Sequence, residues 1–287
     1  MCIARHSKLR RRVPFVTLAA VHFGFWDIAL IVVVSTQATV LAYLRRPRLK
    51  ALAYTLPFPF TLATLSLGRS IDATNVAGMS VIVLYIHAVR WLYRGARLPI
   101  VLAIGLSALG YTGLSWLLAP LLPSSDAAFW TLLSLTLALA LALYLGLPHR
   151  PEPGHRTTLP VYIKAPIIAA VIVGLVAIKS TLQGFMTLFP MVGVVAAYEA
   201  RHCLWTVGRQ MPAWMLAMLP MMAVMRVAQP AVGIPASLGL GWLVFLAILV
   251  PLTLLSWRRE ERADEPPSRR TQNGRTQGSP LRNARDA

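Results

Sequence analysis

The chain has 287 residues, of which 56% are hydrophobic and only 13% charged, with a formal net charge of +18 and a mean hydropathy of +0.61. An average soluble domain is about 25% charged, and a soluble fold of this size could not bury so much apolar surface and still cover itself with polar groups. The composition excludes an ordinary water-soluble globule and makes lipid the natural solvent. The positive charge does not mark a nucleic-acid surface: the basic residues gather in short connections and in both tails, as the positive-inside bias of membrane proteins produces, and no folded polar face carries them. Cys2 and Cys203 stand far apart without CxxC or Cys/His company, which argues against a disulfide framework and a structural zinc site.

Reading in chain order, segment 1–24 begins with Arg5, Lys8, Arg10, Arg11 and Arg12. Its apolar part, 13–24, is too short to cross a bilayer. Three explanations stay open: an interfacial or re-entrant piece, a signal-like region, or residues upstream of the true start. A crossing needs about 20 mostly apolar residues, and about nine segments approach that. They are 25–44, 51–68, 75–93, 98–118, 127–147, 160–178, 180–199, 211–229 and 236–256. The expected fold is an all-α polytopic transmembrane helix bundle. Segment 257–287 is rich in Arg, Pro, Ser, Gln and Asn, the composition of a disordered tail.

Lys and Arg set the expected orientation. Arg45, Arg46, Arg48 and Lys50 lie in the first connection; Arg90, Arg94 and Arg97 in the third; Arg150, Arg156 and Lys164 in the fifth; Arg201 and Arg209 in the seventh. The intervening connections carry only Arg69, Lys179 and Arg226. The richer set and the tail are expected in the cytoplasm, in a bacterial inner membrane. The basic N-terminus disagrees with that assignment. Trp26, Trp91, Trp116, Trp130, Trp214 and Trp257 fall near segment ends, where indoles favour the interface.

A repeat is visible in the pattern. The second segment contains Leu56-Pro57-Phe58-Pro59-Phe60 and the seventh Leu188-Phe189-Pro190-Met191. The third ends in Ala88-Val89-Arg90 and the eighth in Val224-Met225-Arg226. This predicts two inverted-topology four-helix halves, 25–118 and 160–256, joined by a linker span and cytoplasmic loop within 119–159. The alternative is chance recurrence of Phe-Pro, since proline is common in membrane helices.

Gly184-Phe185-Met186-Thr187-Leu188-Phe189-Pro190, followed by Ala196 and Tyr198, resembles small bacterial inner-membrane proteins of the GlpM type. The likeness covers only 184–198, and Glu199-Ala200-Arg201 departs from that pattern. The resemblance implies membrane location and little about mechanism.

Ionisable groups inside a span are costly and are functional candidates by default. Asp27 reads as a hydrated interface residue or a helix-start acid. His87 and Arg90 share a face; a structural hydrogen bond is the plainer role for His87, and Arg90 can snorkel. Glu199 and Arg226 lie near opposite ends of their segments and make a poor pair. Gln37 and Gln183 suit interhelical hydrogen bonds. Asp72, Thr74 and Asn75 fit a helix cap.

The prolines say more. Pro57, Pro59 and Pro190 each remove a backbone donor inside an apolar segment. Paired broken segments point to a midplane binding site, whereas a single proline more simply marks a kink. The expected site gathers Phe58, Pro59, Phe189 and Pro190, bordered by His87, with Arg90 at one mouth and Arg226 at the other. It suits an anionic or neutral solute better than a bare cation. Hydrolase, Walker and HExxH motifs are missing, so no enzymatic activity, cofactor or metal is expected. The expected partners are the lipid bilayer and a small solute, not nucleic acid. Two functions fit: a secondary permease, or a non-transporting protein that supports envelope assembly through helix contacts.

Overall fold

A computed structural model describes residues 24–148, 150, 152, 160–177 and 183–264. The basic N-terminal segment, with its three explanations, and the tail beyond 264 lie outside the described residues. Among the described residues the regular structure is all helical.

Helix α1 (Phe25–Tyr43) starts where the Asp27 carboxylate accepts the Gly24 N–H at 3.0 Å, satisfying an N–H that the helix itself leaves open. The helix-start role of Asp27 stands. It is not hydrated, however: it is buried and also accepts the Ser66 hydroxyl. Pro47 occupies the first turn of α2 (Pro47–Thr55), where its missing N–H costs nothing. The helix stops because Pro57 disfavours helical geometry at the residue before it; Leu56 is extended, with φ −66° and ψ 127°. Helix α3 (Phe58–Leu67) restarts at once with Pro59 in its first turn, and ends on Gly68 at φ +61°, a conformation glycine adopts without strain. The expected second span is therefore two short helices with a break between them.

Helix α4 (Ala73–Arg90) opens on a reciprocal cap: Asp72 accepts the Thr74 N–H and Asn75 accepts the Asp72 N–H. It is buried nearly all round, including Val76, Met79, Tyr85, Ile86 and Val89, as a central helix must be. A π turn, Trp91–Gly95, carries the chain to α5 (Ile100–Leu118). Helix α6 (Asp126–Gly146) is the opposite case. Leu135, Leu139, Leu141 and Leu145 stay exposed. Burying a leucine is worth about 2 kcal/mol, so a face of this kind needs lipid rather than water.

Helix α7 (Val161–Ala177) contains Pro166. A 3-10 segment, Gln183–Leu188, leads through Phe189 to α8 (Met191–Glu199), with Pro190 as its N-cap. The expected seventh span is thus also broken at its proline. Helix α9 (Leu204–Asp264) is two limbs folded at Gly233, whose φ is +74°. The limbs lie against each other: a β-carbon on Gly241 would stand 2.9 Å from Met221 Cγ, and Gln210 donates to Thr253. The first limb brings Met211, Met215, Met218, Met221, Met222 and Met225 into the core, where flexible thioethers fill irregular gaps.

Among the described residues, five helices are long and apolar enough to cross a membrane: Phe25–Tyr43, Ala73–Gly95, Ile100–Leu121, Asp126–Gly146 and the 55-residue run Leu204–Arg258. Val161–Val176 and Phe185–Glu199 are shorter apolar helices. The last limb of α9 continues to Asp264, so helix extends into a stretch whose composition reads as tail. One core cluster joins residues of 25–118 to residues of 160–256; the two expected halves are not separate packing units.

Candidate binding site at two broken helices

The two breaks meet. Leu56, Pro57, Pro59 and Phe60 from the α2–α3 break share one cavity with Thr187, Leu188, Phe189, Pro190, Val192 and Gly193 from the break before α8. Tyr54, Ile82, Met211 and Trp214 complete the lining. Ile82 stands halfway along α4, so the cavity sits at the middle of the helix at the centre of the bundle. Its volume is about 50 Å³, room for a few water-sized groups.

Breaking a helix frees carbonyls that must find partners away from water. Gln37 on α1 donates to Ala53 O at 2.8 Å and to Leu56 O at 3.2 Å. Thr55 donates to Leu52 O, and the Tyr111 hydroxyl donates to Phe185 O at 2.9 Å. Asn75 on α4 donates to the Thr187 hydroxyl at 2.9 Å. The helix-packing role expected for Gln37 thus has a specific form: it covers the open end of α2. The side chain of Gln183 lies outside the described residues.

The donor ends are treated differently. Neither α3 nor α8 has a side-chain cap at its N-terminus. The Tyr54 and Tyr85 hydroxyl oxygens are buried without a hydrogen-bond partner. Both tyrosines stand at the first turn of α8: a β-carbon on Gly193 would lie 2.8 Å from the Tyr54 hydroxyl and 3.3 Å from Tyr85 Cε1. Glycine at 193 is what lets them approach.

Of the residues expected at the site, Pro59, Phe189 and Pro190 line this cavity. Phe58 turns away and stacks on Trp242 at 5.2 Å; its neighbour Phe60 faces in. His87 does not border the cavity. It lies five residues beyond Ile82, about 7.5 Å further along the helix axis, and packs beside Gly208. Arg90 covers the Trp205 ring at 4.6 Å. Arg226 lies at the other end of α4, donating to Ile71 O at 2.6 Å and pairing with Asp126. The 18-residue α4 separates these ends by about 27 Å. Trp214, expected at a membrane boundary, is buried in the cavity wall because its helix starts at Leu204.

Each end of the bundle is built differently. Beside Arg226 a wide vestibule of about 680 Å³ is lined by Gly68, Ser70, Asp126, Trp130, Gln229 and Gly233. At the Arg90 end, Lys164 pairs with Glu199 at 2.5 Å, both side chains buried, and Lys50 donates to Glu199 O at 3.2 Å. Burial lowers the pKa of Lys50 from the ordinary lysine value; Cys203 and Glu199 oppose the shift, and Lys164 and Arg201 add to it. This cluster ties α2, α7 and α8 together. Sequence reasoning missed it, because its members are up to 149 residues apart.

No protein-family model, no curated protein and no solved structure matches this chain.

Proposed function

We propose that the protein is an integral membrane permease of the secondary type, with a small-solute site at the junction of the two broken helices. One observation carries the reading: Pro57 and Pro59 of one break and Pro190 of the other line a single central cavity. Discontinuous helices are costly in lipid and recur where solutes bind between repeats. The reading takes nine crossings, with the two limbs of α9 as the last two and both broken segments crossing once. It places the Arg90 end and the C-terminus in the cytoplasm of a bacterial inner membrane, in keeping with the basic connections and with the likeness of 184–198 to GlpM-type proteins. The halves 25–118 and 160–256 are then inverted repeats around the junction. The vestibule beside Arg226 is the outer approach, and the Lys50–Lys164–Glu199 cluster closes the inner one.

A second reading is favoured by the covered carbonyls and the small cavity: a non-transporting bundle that supports envelope assembly through helix contacts. Accessibility separates them. In a protein with Cys2 and Cys203 replaced by serine, Val192→Cys places a thiol in the cavity wall. The permease reading expects labelling by a membrane-impermeant thiol reagent from either face of oriented vesicles. Labelling from neither face overturns it in favour of the bundle.

A further inference from the structure

At the junction four backbone carbonyls are covered, and several donors are left. Gln37, Thr55 and Tyr111 occupy carbonyls of Leu52, Ala53, Leu56 and Phe185. The first turn of a helix leaves its N–H groups without partners inside the helix. In α3 those are Phe58 and Phe60, since Pro57 and Pro59 have none. In α8 Met191 N donates to Phe189 O, which leaves Val192 and Gly193. Both helices lack a side-chain cap, and residues of both first turns line the same cavity.

A second feature points the same way. Tyr85 is 2% exposed and its hydroxyl has no partner. The Tyr54 hydroxyl oxygen is buried and unpartnered too, in a residue that is only partly exposed. A buried unpaired hydroxyl is costly; the Tyr54 hydroxyl stands against Gly193, with the edge of the Tyr85 ring beside it. Each hydroxyl can donate. No carboxylate lies among the cavity's lining residues. The positive ends of two helix dipoles add a field that favours negative charge.

We propose that this junction binds a small monovalent anion, a halide or short carboxylate, held by the Tyr54 and Tyr85 hydroxyls and the first-turn N–H groups of α3 and α8. On the permease reading, on which the inference rests for its biological sense, that anion is the solute. The cavity of about 50 Å³ limits the ligand to a few heavy atoms. A cation would find no carboxylate among the lining residues.

The test uses the purified full-length protein in detergent. Its melting temperature is followed against sodium chloride and sodium formate, with sodium gluconate holding ionic strength constant; gluconate is too large for the cavity. A saturable rise with chloride or formate is expected. Tyr54→Phe/Tyr85→Phe should weaken the apparent affinity about tenfold or more, since a hydrogen bond to a charged group is worth roughly 1.5–3 kcal/mol. Each single variant should show part of that loss. Tyr144→Phe, whose hydroxyl faces Leu252 O, should leave the affinity unchanged. No saturable response to the small anions, or a response unaltered in the tyrosine variants, overturns the inference. Anion binding in a protein whose Val192→Cys thiol is sealed from both faces would support the site and remove the permease. Two-sided labelling without anion binding would do the reverse.

Discussion

The Tyr54 hydroxyl, at the end of α2, stands 2.8 Å from the point a β-carbon on Gly193 would occupy in the first turn of α8. These residues belong to different broken segments, so one missing side chain sets how closely the two breaks meet. Gly193→Ala places a methyl against both that hydroxyl and Pro190 Cβ, the latter at 2.9 Å. Overpacking of this kind costs about 1–3 kcal/mol. Adding Tyr54→Phe removes the oxygen contact and should recover part of the loss. Thermal unfolding in detergent checks both; equal stability of Gly193→Ala and wild type would mean the contact is not close.

Gln37 covers two carbonyls at the end of α2. Gln37→Leu keeps the bulk and removes both donors, and each buried carbonyl left open costs about 1–3 kcal/mol. Thr36→Ala, one residue away, breaks only an exposed bond to Val32 O and should change stability by about 0.5 kcal/mol or less. If the two variants unfold alike, the α2 carbonyls have other partners.

The pair of Lys164 and Glu199 is buried. Lys164→Met strands a carboxylate and should destabilise by about 3–5 kcal/mol. The double variant Lys164→Met/Glu199→Met removes both charges and should regain most of that loss. A double variant as unstable as the single one would show that Glu199 is held by other groups.

Burial holds the Lys50 pKa below the ordinary 10.5. The folded protein then binds fewer protons at Lys50 than the unfolded chain between the folded value and 10.5, so this group makes stability rise with pH across that window. Cys203, raised by burial above the ordinary 9.0, acts in the opposite sense above that pH. The difference between wild type and Lys50→Met isolates the lysine. It should change as pH rises towards 10.5, in the direction of a more stable wild type at high pH. A pH-independent difference would contradict the burial of Lys50.

The breaks in the helices were legible in the sequence, because proline removes a donor wherever it stands: Pro57 and Pro190 each end or start a helix as their chemistry requires. The cap of α4 was legible for the same local reason, in Asp72 and Asn75. The polar half of the site was not. Tyr54 and Tyr85 look like ordinary apolar filling until the packing shows that their hydroxyls lack partners, and Gly193 in a Val- and Ala-rich stretch carries no mark of what approaches it. Lys50 and Glu199 were legible as charges but not as neighbours. The misplacement of Trp214 has a simple cause: the depth of a residue depends on where its helix begins, and α9 begins seven residues before the expected span.

Solute flux tests the central claim most directly. Full-length protein reconstituted in liposomes is given an inward potassium gradient with valinomycin, which makes the lumen positive, and entry of chloride, formate, glycerol and sodium is followed. The account predicts solute entry above that of protein-free vesicles, carried by the small anions, and its loss in Val192→Trp, which fills the junction. Vesicles as tight as protein-free ones to all four solutes, or flux unchanged by Val192→Trp, would contradict it.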